Sequence, residues 1–264
     1  MPNSSVPFVS YAAVVAALRS AGCVFAEDEA RLIVSTARTP AELTAMVDRR
    51  CGGLPLEHVL GWAEFCGLRI AVEPGVFVPR RRTEFLVQQA LASTPEAPAP
   101  VIVDLCCGSG AVGAALAASL PGAELHAADI DPAAVRCARR NVGGRGHVHE
   151  GDLFEPLPHT IRGRVDILAA NVPYVPTEEV GLLPPEARDH EPLVALDGGG
   201  DGLDLLRRVT AEAPRWLAPG GILLVETSER QASVAVETFT DGGLVPRLAV
   251  SEELYSTVVI GTRS

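Results

Sequence analysis

The chain has 264 residues, enough for one large domain or two unequal ones at roughly 100 to 200 residues each. Apolar types make up 47% and charged types 21%, an ordinary globular balance that excludes disorder, collagen-like repeats and supercharged tails. All 22 basic residues are arginines against 33 acidic residues, and the net charge of −11 disfavours a general binder of nucleic acid or of an anionic membrane surface.

Apolar residues recur at helical spacing over 11–18 and 28–37, and Thr39, Pro40, Ala41 and Glu42 open a third, short helix. No apolar run reaches the roughly 18 to 20 residues of a membrane span. A faint lipoprotein-like box at Ser20, Ala21, Gly22 and Cys23 lacks the basic residues that should precede it, so secretion is not expected. After Gly52, Gly53 and Pro55 come strand-like pieces at 58–60, 68–72 and 76–78, punctuated by Gly61, Gly67, Pro74 and Gly75, which read as a hairpin linker. A helix over 83–92 leads into a Pro-rich hinge at 94–100.

Beyond the hinge, strands at 101–105, 124–129, 147–150 and 165–170 alternate with helices at 111–120 and 132–141, which predicts right-handed βαβ units on a mostly parallel sheet. A loop over 171–200, rich in Pro and Gly, precedes a final helix at 202–216 and a strand at 222–226; loops of this length in a compact domain are usually functional. Two tail strands, 244–250 and 256–260, should pair antiparallel at the sheet edge. The expected division is a helical recognition unit over 1–54, a hairpin linker over 55–80 and an α/β domain over 81–264. The six cysteines, at 23, 51, 66, 106, 107 and 137, have neither disulfide nor metal spacing and read as reduced cytoplasmic thiols; no metal site is expected.

Gly108, Gly110 and Gly113 spell G-x-G-x-x-G between the 101–105 strand and its helix, and Asp129 closes the next strand about twenty residues on, where a carboxylate can accept both hydroxyls of a ribose. NAD and S-adenosylmethionine (SAM) sites share this geometry. Asp104, at the start of the Gly loop, and the tetrapeptide Asn171, Val172, Pro173, Tyr174 both stand at carboxyl ends of parallel strands, where open α/β sheets bind ligands.

These segments, with P-L-E-H-V-L-G at 55–61, V-P-R-R-R-T-E at 78–84, D-L-C-C-G-S-G at 104–110, G-D-L-F at 151–154, L-P-P-E-A-R-D-H-E-P at 183–192 and A-L-D-G-G-G-D-G-L at 195–203, give the chain its likeness to a known family. It resembles the HemK/PrmC group of protein-(glutamine-N5) methyltransferases, which carry N-P-P-Y where this chain has N-V-P-Y. The resemblance covers nearly the whole chain and implies the class I SAM-dependent methyltransferase fold, a Rossmann-like α/β sheet with an antiparallel edge strand. It implies SAM as cofactor, held by Asp104, Cys106, Gly108, Ser109 and Gly110 on the first loop and by Asp129, Ile130, Asp152, Leu153 and Asn171 around it. Catalysis falls to Asn171, Val172, Pro173 and Tyr174, and the acceptor is a glutamine of a protein substrate, a translation release factor being one candidate. A cytoplasmic monomer with no stable nucleic-acid partner and no membrane partner is expected.

Three departures suit a paralogue with its own substrate: Cys106 and Cys107 in the usual Gly-Thr places, Arg81 and Arg82 where P-R-P-E-T-E becomes P-R-R-R-T-E, and Val172 for the first proline. A carboxamide nitrogen is a poor nucleophile because its lone pair is delocalised, so positioning is most of the catalysis. The Asn171 side-chain oxygen and the Val172 carbonyl could each accept one N–H of the acceptor amide while the Tyr174 ring covers its flat face, and no general base is required. Val172 precedes Pro173 and stays in an extended conformation; the lost proline restraint is worth about 0.4–1 kcal/mol.

Rival readings are an adenine amino methyltransferase, which the acidic charge opposes, and an inactive paralogue that only holds SAM or a partner. His190 reads as packing, Arg80–Arg82 as a solvated run with Arg80 at a family position, Cys106 and Cys107 as small buried apolar groups, and Glu226 and Glu229 as surface or supporting groups. Asp129→Ala should weaken SAM binding by about 2–4 kcal/mol as two charge-assisted hydrogen bonds are lost. Calorimetry with SAM and NAD checks this, and tight binding of NAD alone would contradict the methyltransferase reading.

Overall fold

The computed structural model describes residues 10–93 and 99–264. Most of the expected hinge at 94–100 lies outside the described residues. Three helices open the chain, α1 (Tyr11–Ser20), α2 (Ala26–Thr36) and α3 (Pro40–Cys51). Ser10 caps α1 by accepting the Ala13 N–H, and Thr39 caps α3 by accepting the Glu42 N–H while the Glu42 carboxylate takes the Arg38 N–H. The third helix is therefore not short: it runs twelve residues, and its polar outer face hid its length. Leu18, Ile33 and Met46 bury their side chains in an apolar cluster of this unit, separate from the clusters that flank the large sheet.

The segment read as a strand at 58–60 is instead a single helical turn, α4 (Leu56–Leu60), too short for periodicity to reveal and started by the fixed φ of Pro55. The buried His58 donates from Nε2 to the Val76 carbonyl at 2.8 Å, and burial lowers its pKa, which keeps the ring neutral. The hairpin pairs β1 (Trp62–Phe65) with β2 (Leu68–Ala71) across Cys66 and Gly67, both at positive φ, as a two-residue primed turn requires. Residues 76–78 form no strand, although Val76 and Val78 are buried. A 3-10 turn at Arg81–Thr83 then leads into α5 (Glu84–Ser93).

The large unit runs β3 (Val101–Leu105), α6 (Ala111–Ser119), β4 (Glu124–Asp129), α7 (Pro132–Val142), β5 (Gly146–Glu150) and β6 (Val165–Ala170). The expected 171–200 loop carries 3-10 turns at Thr177–Leu182 and Leu193–Ala195 and a short helix, α8 (Pro185–His190), so it is only partly irregular. It leads to α9 (Asp204–Trp216), β7 (Leu217–Thr227), α10 (Ala232–Asp241), β8 (Val245–Ser251) and β9 (Ser256–Thr262). α9 is thus not the last helix: α10, rich in Val and Thr, was missed because its propensity is poor, and it forms by burying Ala235 and Phe239.

The sheet order is β5-β4-β3-β6-β7-β9-β8, with β3 to β7 parallel and the tail pair antiparallel. β9 inserts beside β7 and leaves β8 at the edge. Alternate residues of the central strands face opposite layers. Leu105, Leu168 and Val225 meet Val209 and Phe239 on one side; Ile102, Ile167 and Leu224 meet Leu86 and Leu116 on the other. No helix among the described residues is long and apolar enough to cross a membrane.

Arg50, at the end of α3, is 7% exposed and joins distant parts of the chain. It donates to the buried Glu29 of α2 at 2.6 Å, to the Leu54 carbonyl at 3.2 Å and to Glu186 of α8 at 2.7 Å. Removing one partner of a buried pair strands the other charge. Arg50→Met should therefore cost about 3–5 kcal/mol in urea unfolding, and adding Glu29→Met should recover most of that loss. A single variant as stable as the parent would show that the pair carries no such strain.

Candidate functional site

The order in which the chain fills the sheet reverses between the parallel neighbours β3 and β6. After β3 the chain winds outward through β4 and β5, then crosses back to β6, so the ends of β3 and β6 form a topological switch point. A cleft of about 570 Å3 lies there. Asp104, Cys106, Gly108 and Ser109 line it from the first loop, Asp129 and Ile130 from the end of β4, Asp152 and Leu153 from the loop after β5, and Asn171 to Tyr174 from the end of β6. Gly110 is absent from the lining: its N–H closes the loop onto the Cys107 carbonyl at 2.7 Å, and a Cβ there would come within 3.0 Å of Ala138 of α7. Its role is therefore to bring α6 and α7 together.

The Asp129 carboxylate is already oriented, accepting the Gly108 N–H at 2.8 Å on one oxygen and the Asp131 N–H at 2.9 Å on the other. Each oxygen keeps a lone pair. Asp104 lies beneath the loop at 1% exposure and accepts the Gly113 N–H at 2.8 Å. A side chain at Gly113 would come within 3.0 Å of that carboxylate, so the third glycine of the motif allows α6 to approach the strand. Asp152 receives an ion pair from Arg208 of α9 at 2.6 Å, a partner the sequence analysis missed.

Burial sets the ionisation of these groups. Desolvation is the main cause that raises Asp104 to about 7 and also raises Asp129, against the backbone N–H bonds that favour their charged forms. The thiols of Cys106 and Cys107 are pushed up, first by burial and then by the neighbouring Asp129 and Asp104, so both stay protonated apolar groups. Cys106 adopts φ 52°, a left-handed conformation in which glycine is unstrained.

The N-V-P-Y loop is held from three directions. Val172 buries its side chain in the core under the loop. The glycine-rich stretch at 198–202 lies against the loop backbone: Gly198 donates to the Val175 carbonyl at 2.8 Å, and a Cβ on Gly202 would sit 2.3 Å from the Tyr174 carbonyl oxygen. Gln231 Nε2 donates to that same carbonyl at 3.0 Å. The Tyr174 hydroxyl meets Glu226 Oε1 at 3.3 Å and Arg82, and Arg82 Nε donates to Glu226 at 2.9 Å. Burial, then the Glu226 carboxylate, pushes the Tyr174 phenol up, so it remains protonated.

The arginine run is thus not simply solvated: Arg80 pairs with the buried Glu191 at 2.6 Å and Arg82 with the buried Glu226, while Arg81 alone of the three forms no ion pair among the described residues. Glu226 is a buried supporting group, 2% exposed. His190 does not line the cleft and lies beside Gly53. The side-chain oxygen of Asn171 is buried and accepts no hydrogen bond among the described residues.

The mostly parallel sheet, the Gly loop, the acid ending β4 and the cleft at the switch point make a Rossmann-like fold with a nucleoside-type site, and similarity to known proteins makes it a class I SAM-dependent methyltransferase. The methyltransferase small domain family matches residues 67–181. A methyltransferase crystal structure from Pyrococcus furiosus shares the fold with TM-score 0.56 at 16% identity, covering 75% of this chain and 90% of its own. The chain is 42% identical over 230 residues to the release factor glutamine methyltransferase of Geobacter sulfurreducens, covering 85% of this chain and 79% of that relative. It is also 36% identical to the 4-amino-L-phenylalanine/4-methylamino-L-phenylalanine methyltransferase of Streptomyces pristinaespiralis, over 77% of this chain and 71% of that one. The chain belongs to the HemK/PrmC family of release factor glutamine methyltransferases.

A buried carboxyl whose folded pKa lies above its unfolded value holds a proton that the unfolded chain has released, so its contribution to stability falls as pH rises between the two values. For Asp104 that window runs from near 3.8 to about 7. Compared with Asp104→Asn, the parent should lose up to about 1.4 kcal/mol of stability per pH unit through this window. Parallel stability curves for the two proteins in urea titrations would contradict the assignment.

Proposed function

We propose that the protein transfers the methyl group of SAM to the side-chain amide nitrogen of a glutamine in a protein substrate. The observation that carries this reading is the buried Asn171 oxygen, an acceptor without a donor beside a cleft of cofactor size. The residues fit the cofactor: Asp129 keeps lone pairs for two ribose hydroxyls, the Gly108 α-carbon faces open space, and Ile130 and Leu153 offer apolar surface to a base. SAM supplies a methyl made electrophilic by its sulfonium.

The chain's own groups position the acceptor. Asn171 Oδ1 and the Val172 carbonyl each accept one amide N–H, which fixes the nitrogen and turns its lone pair toward the methyl. Tyr174, braced by Glu226 and Arg82, is a fixed wall rather than a base, and the proton shed by the methylated amide passes to water. A helical recognition unit at 1–54 and a hairpin linker at 55–80 ahead of the catalytic residues 81–264 would form the outer wall; Phe65, Phe77 and Pro79 already line the cleft.

This wall supports a protein loop as acceptor, and the names of the relatives support a release factor as the first protein to test. The acidic charge supports a protein rather than a nucleic acid, and six cysteines without a disulfide support a cytoplasmic enzyme. The relative named for 4-amino-L-phenylalanine makes a free arylamine the competing acceptor.

Asn171→Ala should lower turnover about 100-fold or more while SAM affinity, measured by calorimetry, stays within a few fold. Turnover at the parent rate would remove Asn171 from the catalytic role. Lysate incubated with methyl-labelled SAM should carry label that disappears with protease and survives nuclease, and mass spectrometry should place it on glutamine. Label lost only with nuclease, or transfer to 4-amino-L-phenylalanine with no labelled protein, would overturn the acceptor assignment.

A further inference from the structure

A second cleft, of about 880 Å3, opens beside the first and shares Arg82, Tyr174 and Glu226 with it. It lies where β7 ends and β9 begins, and the antiparallel register pairs Glu226 with Val258 and Thr227 with Thr257. Three polar atoms of residues lining this cleft, Glu226 Oε2, Thr227 Oγ1 and Ser256 Oγ, are buried without a hydrogen-bond partner among the described residues. Their residues are 2%, 5% and 3% exposed. Thr227 faces the opposite layer from Glu226 and Ser256. Buried polar groups are ordinarily paired, so the two orphans that share a face, Glu226 Oε2 and Ser256 Oγ, point to a ligand that brings hydrogen-bond donors.

The charges on the lining narrow the chemistry. Arg82 is committed to Glu226 and Arg230 to Glu179, whereas the exposed Glu229 and Glu252 form no ion pair among the described residues. Carboxylates thus outnumber the free cations, and exposed Leu182 and Tyr255 supply apolar surface for an aliphatic stem. A phosphate backbone would be repelled here, and a free amino acid held in the first cleft would not reach this far.

We propose that this second cleft is a subsite for the acceptor polypeptide next to its methylated glutamine, and that it takes a basic side chain, arginine or lysine. This rests on the protein-glutamine reading. The donor-rich cation meets the unpaired Glu226 Oε2 and Ser256 Oγ, which the register places on one face of the sheet, and Glu229 and Glu252 attract its charge from the rim. Sequence preference would then come from the residues flanking the glutamine, while the N-V-P-Y loop reads the amide itself.

The test uses capped heptapeptides on an Ala/Gly scaffold with one central glutamine and Arg, Ala or Glu at each flanking position in turn. Two quantities are read: kcat/KM for methyl transfer from labelled SAM, and peptide Kd by fluorescence anisotropy with S-adenosylhomocysteine present. At one or more positions the Arg peptide should exceed the Glu peptide about tenfold in both quantities, and the preference should shrink as salt is raised. The double variant Glu229→Gln, Glu252→Gln should reduce that preference while kcat on the Ala peptide stays at the parent value. Equal values for Arg and Glu peptides at every position, or a preference that the double variant leaves intact, would overturn the subsite. Methylation of all peptides without charge preference would sink the subsite and keep the glutamine reading. A charge-dependent Kd lost in the double variant, with no peptide methylated, would keep the subsite and sink the glutamine reading.

Discussion

The register between β3 and β6 governs the site. Leu105 lies opposite Ala170, so the next residues of the two strands, Cys106 and Asn171, leave the sheet side by side. Parallel strands cannot be joined by a tight turn, and each continues into a crossover. One segment turns through the Gly loop into α6 and the other through N-V-P-Y into the long loop before α9, and the gap between them is the cleft. Shifting the register by one residue would turn Asp104 and Asn171 to the opposite faces of the sheet.

Around that gap the electrostatics are set by burial. Burial raises the proton affinity of both Asp104 and Asp129, Asp129 raises that of Asp104 further, and backbone N–H groups rather than cations compensate them. Such a site suits a cationic cofactor, because a sulfonium entering it faces the Asp129 carboxylate, which no arginine neutralises, while nearby thiols remain protonated. Arg82, Glu226 and Tyr174 form a separate compensated group at the mouth. The carboxylate orients the guanidinium, both hold the phenol, and one buried oxygen of Glu226, a residue that also lines the second cleft, has no hydrogen-bond partner among the described residues.

Ion pairs join parts of the chain far apart in sequence. Arg50 links α2 and α3 to Glu186 on α8, and Arg80 links the residues before α5 to Glu191, which also accepts the Val78 N–H at 3.2 Å. The segment L-P-P-E-A-R-D-H-E-P is thereby tied at both its first and second glutamates. Glu191 is raised by burial and drawn back down by Arg80, the balance expected of a carboxylate held inside by one partner.

Most of this architecture was legible in the sequence. β3, β4 and β6 have the bounds that alternation predicts, and the Gly motif with Asp129 placed the cleft on the correct strand ends, because tight turns and close backbone approaches demand particular residues locally. α4 and β1 were hidden because segments of four or five residues leave no period to read. α10 was hidden because packing overrode its propensity. Tertiary structure alone decided the roles of Arg82, Arg208, Glu226 and Gln231: their partners lie far along the chain, and a charged or amide side chain on a loop looks the same in sequence whether water or a buried carboxylate satisfies it.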